Sequence, residues 1–514
     1  MKTTLVAVIG VVVLAWAGAA AAGPNIGFAD DATKYANDGG DRLFTEMNKL
    51  GTTTNRVAVF WDSTAPTVIQ DQAFLDRMIP VAKKHNIQIV FAVYPKQPTM
   101  APTTPSAVDA FCNYAVLVMQ RYPYVRKVII GNEPNQPRFW QPIFNGDGSP
   151  ASPAAMEQVL ASCYDKLKAF DSTIDVIAAG LSPRGNDDPT ATSNASISPV
   201  RFIAAMGKAY RASGRTKPLF DEWSWHCYPN VNTDEVEKGY AWPNTGCVNA
   251  ARVKLALWDA FNGTAQPVLA GYAPTTTGST LFGNIAKMII DETGWQVDTS
   301  TYPGYVNKEN VPVITEQKQA QDYEKLVHLA NCEPTMTDFH FFPLLDESDR
   351  TSLLQSGVLR VDFSERPSAT DPTNSVQHAI NADHGSCSGG VWQTLGNFLY
   401  STTAVVPLYS TFPYQDAQPF AAKKISGGGI YVQLTAGEGF TYTVTFTNGS
   451  QTSTATGAAP NTTATVKVPT GFGSGSVTVL LKAETNPNRT STATLQLGSG
   501  TTTTPPPKKH KGKK

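Results

Sequence analysis

The sequence predicts an α/β chain, a (β/α)8 barrel followed by a small all-β sandwich, and three observations carry that prediction. Short β-branched runs alternate with longer helical patterns from Asn25 to about His384. The runs number eight, which is the count a TIM barrel with inserted loops requires. Beyond Ser388 helical periodicity fades, while Thr, Ser, Gly and Val rise. A doubly wound open sheet is the competing architecture, and it loses ground because no glycine-rich phosphate turn follows the first run.

The eight strands are expected at 25–30, 54–60 (TNRVAVF), 87–94 (IQIVFAVY), 125–131 (VRKVIIG), 174–180 (IDVIAAG), 217–225 (KPLFDEWSW), 287–290 and 337–342. Helical patterns lie between them at 72–85, 105–122, 153–170, 199–213, 250–261 and 315–330. Farther on, 440–447 (FTYTVTFT), 463–469 (TATVKVP), 475–482 (GSVTVLLK) and 491–497 (STATLQL) alternate as half-buried antiparallel strands do. The domain plan is therefore a signal peptide over 1–22, the barrel over 23–388, a β-sandwich over 389–500 and a disordered basic tail over 501–514.

The N-terminus carries Lys2, an apolar run from Leu5 to Trp16 and small residues up to Ala22, so it reads as an export signal cleaved near Ala22. An uncleaved anchor is the alternative, and an alanine-rich end suits a peptidase better than a stop-transfer. A secreted protein with no stable membrane insertion is expected. Of 514 residues, 41% are hydrophobic and 16% charged, enough to bury a large core without a cofactor. A formal net charge of -1 argues against a nucleic-acid partner. Six cysteines in an exported chain fit disulfides, and none sits in a CxxC pair or near clustered histidines, so no metal site is expected. Cys227 and Cys247 would close one loop and are the favoured local bridge, while the remaining pairings stay open.

In a TIM barrel the chemistry sits at the C-terminal ends of the strands. The fourth strand runs into Gly131-Asn132-Glu133-Pro134-Asn135 and the seventh into Asp291-Glu292-Thr293-Gly294-Trp295. Two glutamates at the mouths of opposed strands would face each other across the rim, which is the pair that glycoside hydrolysis needs. Glu316 is the competing nucleophile, but choosing it leaves about twenty residues for a helix and the last strand, and makes IIDETGW a surplus ninth strand. Glu316 then reads as a first-turn carboxylate favoured by the helix dipole, and Glu222, inside the sixth strand, as structural. Trp61, Trp140 and Trp295 follow strand ends and are candidates to stack on sugar faces, with burial as the alternative. Asp346 and Glu347 are expected in a solvated loop.

NEPNxxxFW (Asn132 to Trp140), ETGW (Glu292 to Trp295), WHCYP (Trp225 to Pro229) and Arg56 on the second strand together resemble glycoside hydrolase clan A, nearest to its family 39-like and family 5-like members. The resemblance covers roughly residues 25–384. It implies a retaining double displacement with Glu133 as general acid/base and Glu292 as nucleophile, and no cofactor. Asn132 would bind the sugar's 2-hydroxyl, and Arg56 and Tyr228 would orient Glu292. His226 would contact substrate or support the acid/base. The clan's usual tryptophan at the end of the eighth strand is missing here, and Phe341 or Phe342 is the expected substitute.

The substrate expected is an oligo- or polysaccharide. Transglycosylation by the same site and a non-catalytic glycan-binding protein are the alternatives. Retention of both glutamates with Asn132 and Arg56 argues against the second of these. Tyr431, Phe440 and Tyr442 of the β-sandwich are expected to brace rather than bind, and Lys508 to Lys514 offer association with anionic cell-wall polymers.

Overall fold

The structure, a computed structural model, describes residues 23–267, 287–333, 335–352, 354–382, 429–434, 438–460, 463–488 and 490–497. The expected signal peptide, the barrel–sandwich boundary near 388 and the basic tail lie outside them.

Eight parallel strands close into a barrel: β1 (Asn25–Ala29), β2 (Thr54–Trp61), β3 (Gln88–Pro95), β4 (Lys127–Ile130), β5 (Asp175–Leu181), β6 (Glu222–His226), β7 (Lys287–Glu292) and β8 (Met336–Phe341). Each pairs with the next in sequence, and β8 returns to β1. Around them run α1 (Ala32–Tyr35), α2 (Asp41–Leu50), α3 (Gln72–Lys84), α4 (Pro105–Arg121), α5 (Ser152–Phe170), α6 (Pro199–Ser213), α7 (Ala250–Phe261) and α8 (Glu316–Asn331). Two short helices follow, α9 (Pro367–Thr370) and α10 (Val376–Asn381). Local chemistry sets the helix ends. Thr104 caps α4 by accepting from the Ala107 amide, with Pro105 in the first turn, and Thr315 caps α8 by accepting from Lys318.

Alternation along the strands sorts side chains into an outer and an inner set. Val57, Val59 and Trp61 of β2, Phe91 of β3, Trp223 and Trp225 of β6 and Phe341 of β8 join the large core beneath the helices. The inner set forms three levels. A floor near the strand starts holds Lys127, paired with Glu222 (3.3 Å) and with Asp338. Above it Val90, Ala92, Ile129, Ile177 and Ile289 make a dry apolar layer. The polar groups of the rim lie above that. The barrel is thus a packed core with its charges confined to the two ends.

Two expectations change. Phe341 stacks on Tyr323 of α8, with ring centroids 4.4 Å apart, because its parity on β8 turns it into the helix layer. Phe342, two residues beyond inward-facing His340, is half-buried and keeps the parity of the lumen. Asp346 is no solvated loop residue: it is buried, bonded to Arg366 and accepting from Tyr305 and the Gly357 amide. Glu347 is half-buried and accepts from the Leu354 amide. Glu316, at the start of α8, is held by Arg360 and Arg366.

The C-terminal part contains β9 (Gly429–Gln433), β10 (Phe440–Asn448), β11 (Gln451–Ala459), β12 (Thr463–Lys467), β13 (Ser476–Ala483) and β14 (Thr490–Gln496). They form a four-stranded antiparallel sheet, β11-β10-β13-β14, and a two-stranded sheet of β12 and β9. Inward residues such as Val432, Val444, Phe446, Val466, Val477 and Leu481 fill one core between them. The sheet domain is fastened to the barrel's helices. Arg201 of α6 donates to Glu484 at 2.7 and 3.2 Å, and Asp259 of α7 accepts from Asn486 at 3.1 Å. Arg201 also holds Asp187, in the loop after β5, at 2.7 Å. Phe440 is buried and Tyr442 half-buried, in keeping with bracing.

The floor generates a test. Burial raises the Glu222 carboxyl from 4.5 to about 7, with Lys127 opposing the rise. The folded state therefore holds that proton more tightly than the unfolded chain, and this group's contribution to stability falls as pH rises from 4.5 through about 7. Lys127→Met removes the cation facing Asp338 and Glu222, and the loss bears on Glu222 once it ionises. The expected loss is about 3–5 kcal/mol at pH 8 and clearly less at pH 5, read from denaturant melts of both proteins at the two pH values.

Candidate active site

Four strand ends deliver the site. β4 hands over to Gly131 (φ 106°), Asn132 and Glu133, and Glu133 itself sits at φ 41°, a backbone conformation that costs a non-glycine residue about 1–3 kcal/mol. Its surroundings hold it there. The Glu133 amide donates to Gly180 O (2.8 Å), while the Asn135 side chain bonds Ser182 O (3.1 Å), Ile197 O (2.9 Å) and the Ser182 amide (2.9 Å). The NEPN turn is thereby tied to the loop after β5.

On β6 and β7 the register shifts. Trp225 pairs with Ile290, but His226 pairs with Glu292, so β7 carries one extra residue, Asp291. A shift of this kind re-aims side chains at a barrel rim, and here two consecutive carboxylates, Asp291 and Glu292, both serve the lumen. A second shift between β5 and β6 leaves Gly180 at φ 60°. A Cβ there would come within 3.1 Å of Asp291 and 3.3 Å of His226.

The resulting constellation is compact. His226 Nδ1 lies 2.7 Å from Glu133 Oε1 and 3.5 Å from Glu292 Oε2. Arg56 of β2 binds Glu292 Oε1 through Nη1 at 2.9 Å and donates through Nη2 to Asn132 at 2.5 Å. The Tyr228 hydroxyl donates to Glu292 Oε2 at 2.9 Å. Glu133 and Glu292 keep 15% and 13% of their side-chain surface exposed, whereas Asp291 and His226 keep none. The two glutamates can therefore meet a solute, while Asp291 and His226 cannot. Burial works against a charge on His226, but Glu292 and Asp291 together outweigh it and raise its pKa well above the ordinary value. Burial, followed by Glu292, pushes the Tyr228 phenol far up, so it stays a hydrogen-bond donor. His340, beneath them, is pulled down to about 4 by burial and is neutral.

The structure thus gathers Glu133, Glu292, Asn132, Arg56, His226 and Tyr228 in one place, and Glu222 stays on the floor. The three tryptophans are not part of the gathering. Trp61 packs edge-on against Phe111 of α4, Trp140 is buried, and Trp295 is buried with its indole donating to Asp234 O. None offers an open ring face. For Trp61 the reason is parity, since it lies an odd number of residues from inward-facing Arg56. Asp291 is the residue that sequence reasoning passed over. Cys227–Cys247 and Cys112–Cys163 are bridged, and the first closes the loop that carries Tyr228. Among the described residues no cluster of metal-ligating side chains occurs.

No protein-family model matches the chain, and no curated protein sequence matches it. Solved structures similar to it include a family 39 glycoside hydrolase from Bacteroides cellulosilyticus WH2, at 14% identity over 87% of this chain and 81% of that one, with a TM-score of 0.43. A GH5_18 protein from Streptomyces cattleya, solved with GlcNAc, shows 13% identity over 74% and 82%, with a TM-score of 0.43. A Bacteroidetes-affiliated GH5 cellulase shows 12% over 73% and 94%, with a TM-score of 0.42.

Gly180→Ala is the sharpest probe of this geometry. It meets both a positive φ and two occupied neighbours, so it should lower stability by about 1–3 kcal/mol in a denaturant melt. Gly214→Ala, at φ 67° with open space around it, carries the backbone cost alone and should lose less.

Proposed function

We propose that the protein is a secreted, retaining O-glycoside hydrolase of clan A type that acts on an oligo- or polysaccharide. The observation that carries this reading is one histidine nitrogen within 2.7 Å of Glu133 and 3.5 Å of Glu292. The two carboxylate oxygens are then no more than about 6 Å apart, closer than the ~6.5–9.5 Å that inverting enzymes leave for a water. The asymmetry around the pair supports the assignment of roles. Glu292 accepts from a guanidinium and a phenol, which hold its oxygens in place for attack on a carbon. Glu133 has neither, and faces an imidazole nitrogen at 2.7 Å instead.

In the first step the glycosidic C–O bond breaks, Glu292 bonds the anomeric carbon, and the proton of Glu133 goes to the leaving oxygen. In the second, water bonds that carbon, the ester to Glu292 breaks, and the water's proton returns to Glu133. Asn132, held by Arg56, would bind the 2-hydroxyl of the sugar, as the resemblance implies. Export is supported by the signal-like N-terminal sequence and by the Cys112–Cys163 and Cys227–Cys247 disulfides, which belong to oxidising compartments. No helix among the described residues is long and apolar enough to cross a membrane.

The test is a panel of aryl β-glycosides and polysaccharides run on the wild type, Glu133→Gln and Glu292→Gln. Both variants should lose at least about 10²–10⁴ in kcat, with Glu133→Gln hit hardest on poor leaving groups. A 2-fluoro-sugar should label Glu292, and the first product should keep its anomeric configuration. Binding without cleavage would leave a glycan-binding protein, and transfer to an added sugar at the expense of water a transglycosylase.

A further inference from the structure

We infer that Asp291 is a positioning residue which, through His226, keeps one proton on the Glu133–His226 pair for delivery to the leaving oxygen. The inference rests on the acid/base role proposed above for Glu133.

Asp291 has no exposed surface and cannot touch a substrate. Neither of its oxygens has an aligned hydrogen-bond donor, and its close charged neighbours among the described residues are His226 Nε2 at 3.3 Å and Arg56 Nη2 at 3.9 Å. Arg56 is already engaged, with its terminal nitrogens on Glu292 and Asn132. The imidazole is the group left to balance the buried carboxylate. Its own Nε2 lacks an aligned acceptor too, so the two orphaned atoms face each other across the space that Gly180 leaves by having no Cβ. Contacts of this sort commonly tighten only when substrate closes the site.

The charges around the pair come from several elements. Arg56 faces it from β2, Tyr94 from β3 and Tyr228 from beyond β6; Glu292 lies beside Asp291 on β7, neutral His340 lies on β8, and Asp31 acts on Arg56 from the loop after β1. Glu133, Glu292 and Asp291 are three carboxyls set against one permanent cation. A carboxylate at Nε2 fixes a proton on that nitrogen. Nδ1 then either accepts the acid proton of Glu133 or carries it towards a Glu133 carboxylate, and both arrangements hold the same number of protons. The raised basicity of His226, to which Asp291 contributes, agrees with this placement. Burial would raise the Asp291 carboxyl, but the His226 charge overcomes it and keeps Asp291 ionised.

The first readout needs no substrate. In protein labelled with ¹⁵N-histidine, His226→Gln assigns the His226 signals among the seven histidines. The wild type should show a proton on Nε2 through pH 8, and in Asp291→Asn the pair should lose its proton about one pH unit lower or more. The second readout is kcat/KM against pH on nitrophenyl β-glycosides. The alkaline limb of Asp291→Asn should move down by about the same amount while the acid limb stays, and dinitrophenyl glycosides, which need little protonation, should be spared. A bare Nε2 in the wild type, or an unchanged titration in folded Asp291→Asn, overturns the inference. If Asp291→Asn does not fold, the wild-type tautomer decides alone. An Asp291-dependent proton in an enzyme that cleaves no glycoside upholds the placement and refutes the hydrolase reading instead.

Discussion

Alternation along a strand sends neighbouring side chains to opposite faces, and in a closed barrel those faces are a crowded lumen and a helix-covered exterior. Most of this molecule obeys that rule, with register shifts between β5 and β6, β6 and β7, and β7 and β8. Val57, Val59 and Trp61 go outward and Arg56 inward; Trp223 and Trp225 go outward and Glu222, Ser224 and His226 inward. The candidate site exists because the rule is relaxed at two places flanking β6. One extra residue on β5 makes room at Gly180, and one on β7 brings Asp291 and Glu292 to the same side. Without the second shift, the lumen would hold one of these carboxylates and not both.

Electrostatics then distributes the work vertically. The floor ties Lys127 to Glu222 and Asp338, the middle layer is aliphatic, and the rim gathers Arg56, His226 and three carboxyls. Between the two sets, buried and neutral His340 answers to Asp338 and Lys127 on one side and to Asp291 and Arg56 on the other.

Much of this was legible in the residues. The eight β-branched runs and the Pro- and Thr-marked helix starts match the observed elements to within a few positions, because patterning and caps are local. Glu133, Glu292 and Tyr228 were legible because they stand just at or beyond strand ends within recognisable motifs, and Arg56 because it is a lone charge in an apolar strand. The tryptophans were not, although counting parity from Arg56 would have turned Trp61 outward. Asp291 was missed because a register shift leaves no mark in composition. Asp346 looked like loop because its partner, Arg366, comes twenty residues later. In the β domain, β11 (QTSTATGAA) has no large apolar residue and lies at a sheet edge, so only the turn at Gly449 (φ 60°) betrays it.

Arg201 fastens the β domain, and its guanidinium grips two partners at once. One hand holds Glu484 of the sheet domain and the other Asp187 of the loop after β5. Asp187 in turn accepts from the Ser198 amide, and the backbone at Ser182 and Ile197 in this same loop anchors Asn135 of the NEPN turn. In mechanical terms the three parts are linked in series. Among the described residues, the Arg201 side chain is thus one route by which a pull on the sheet domain reaches the turn that carries Glu133.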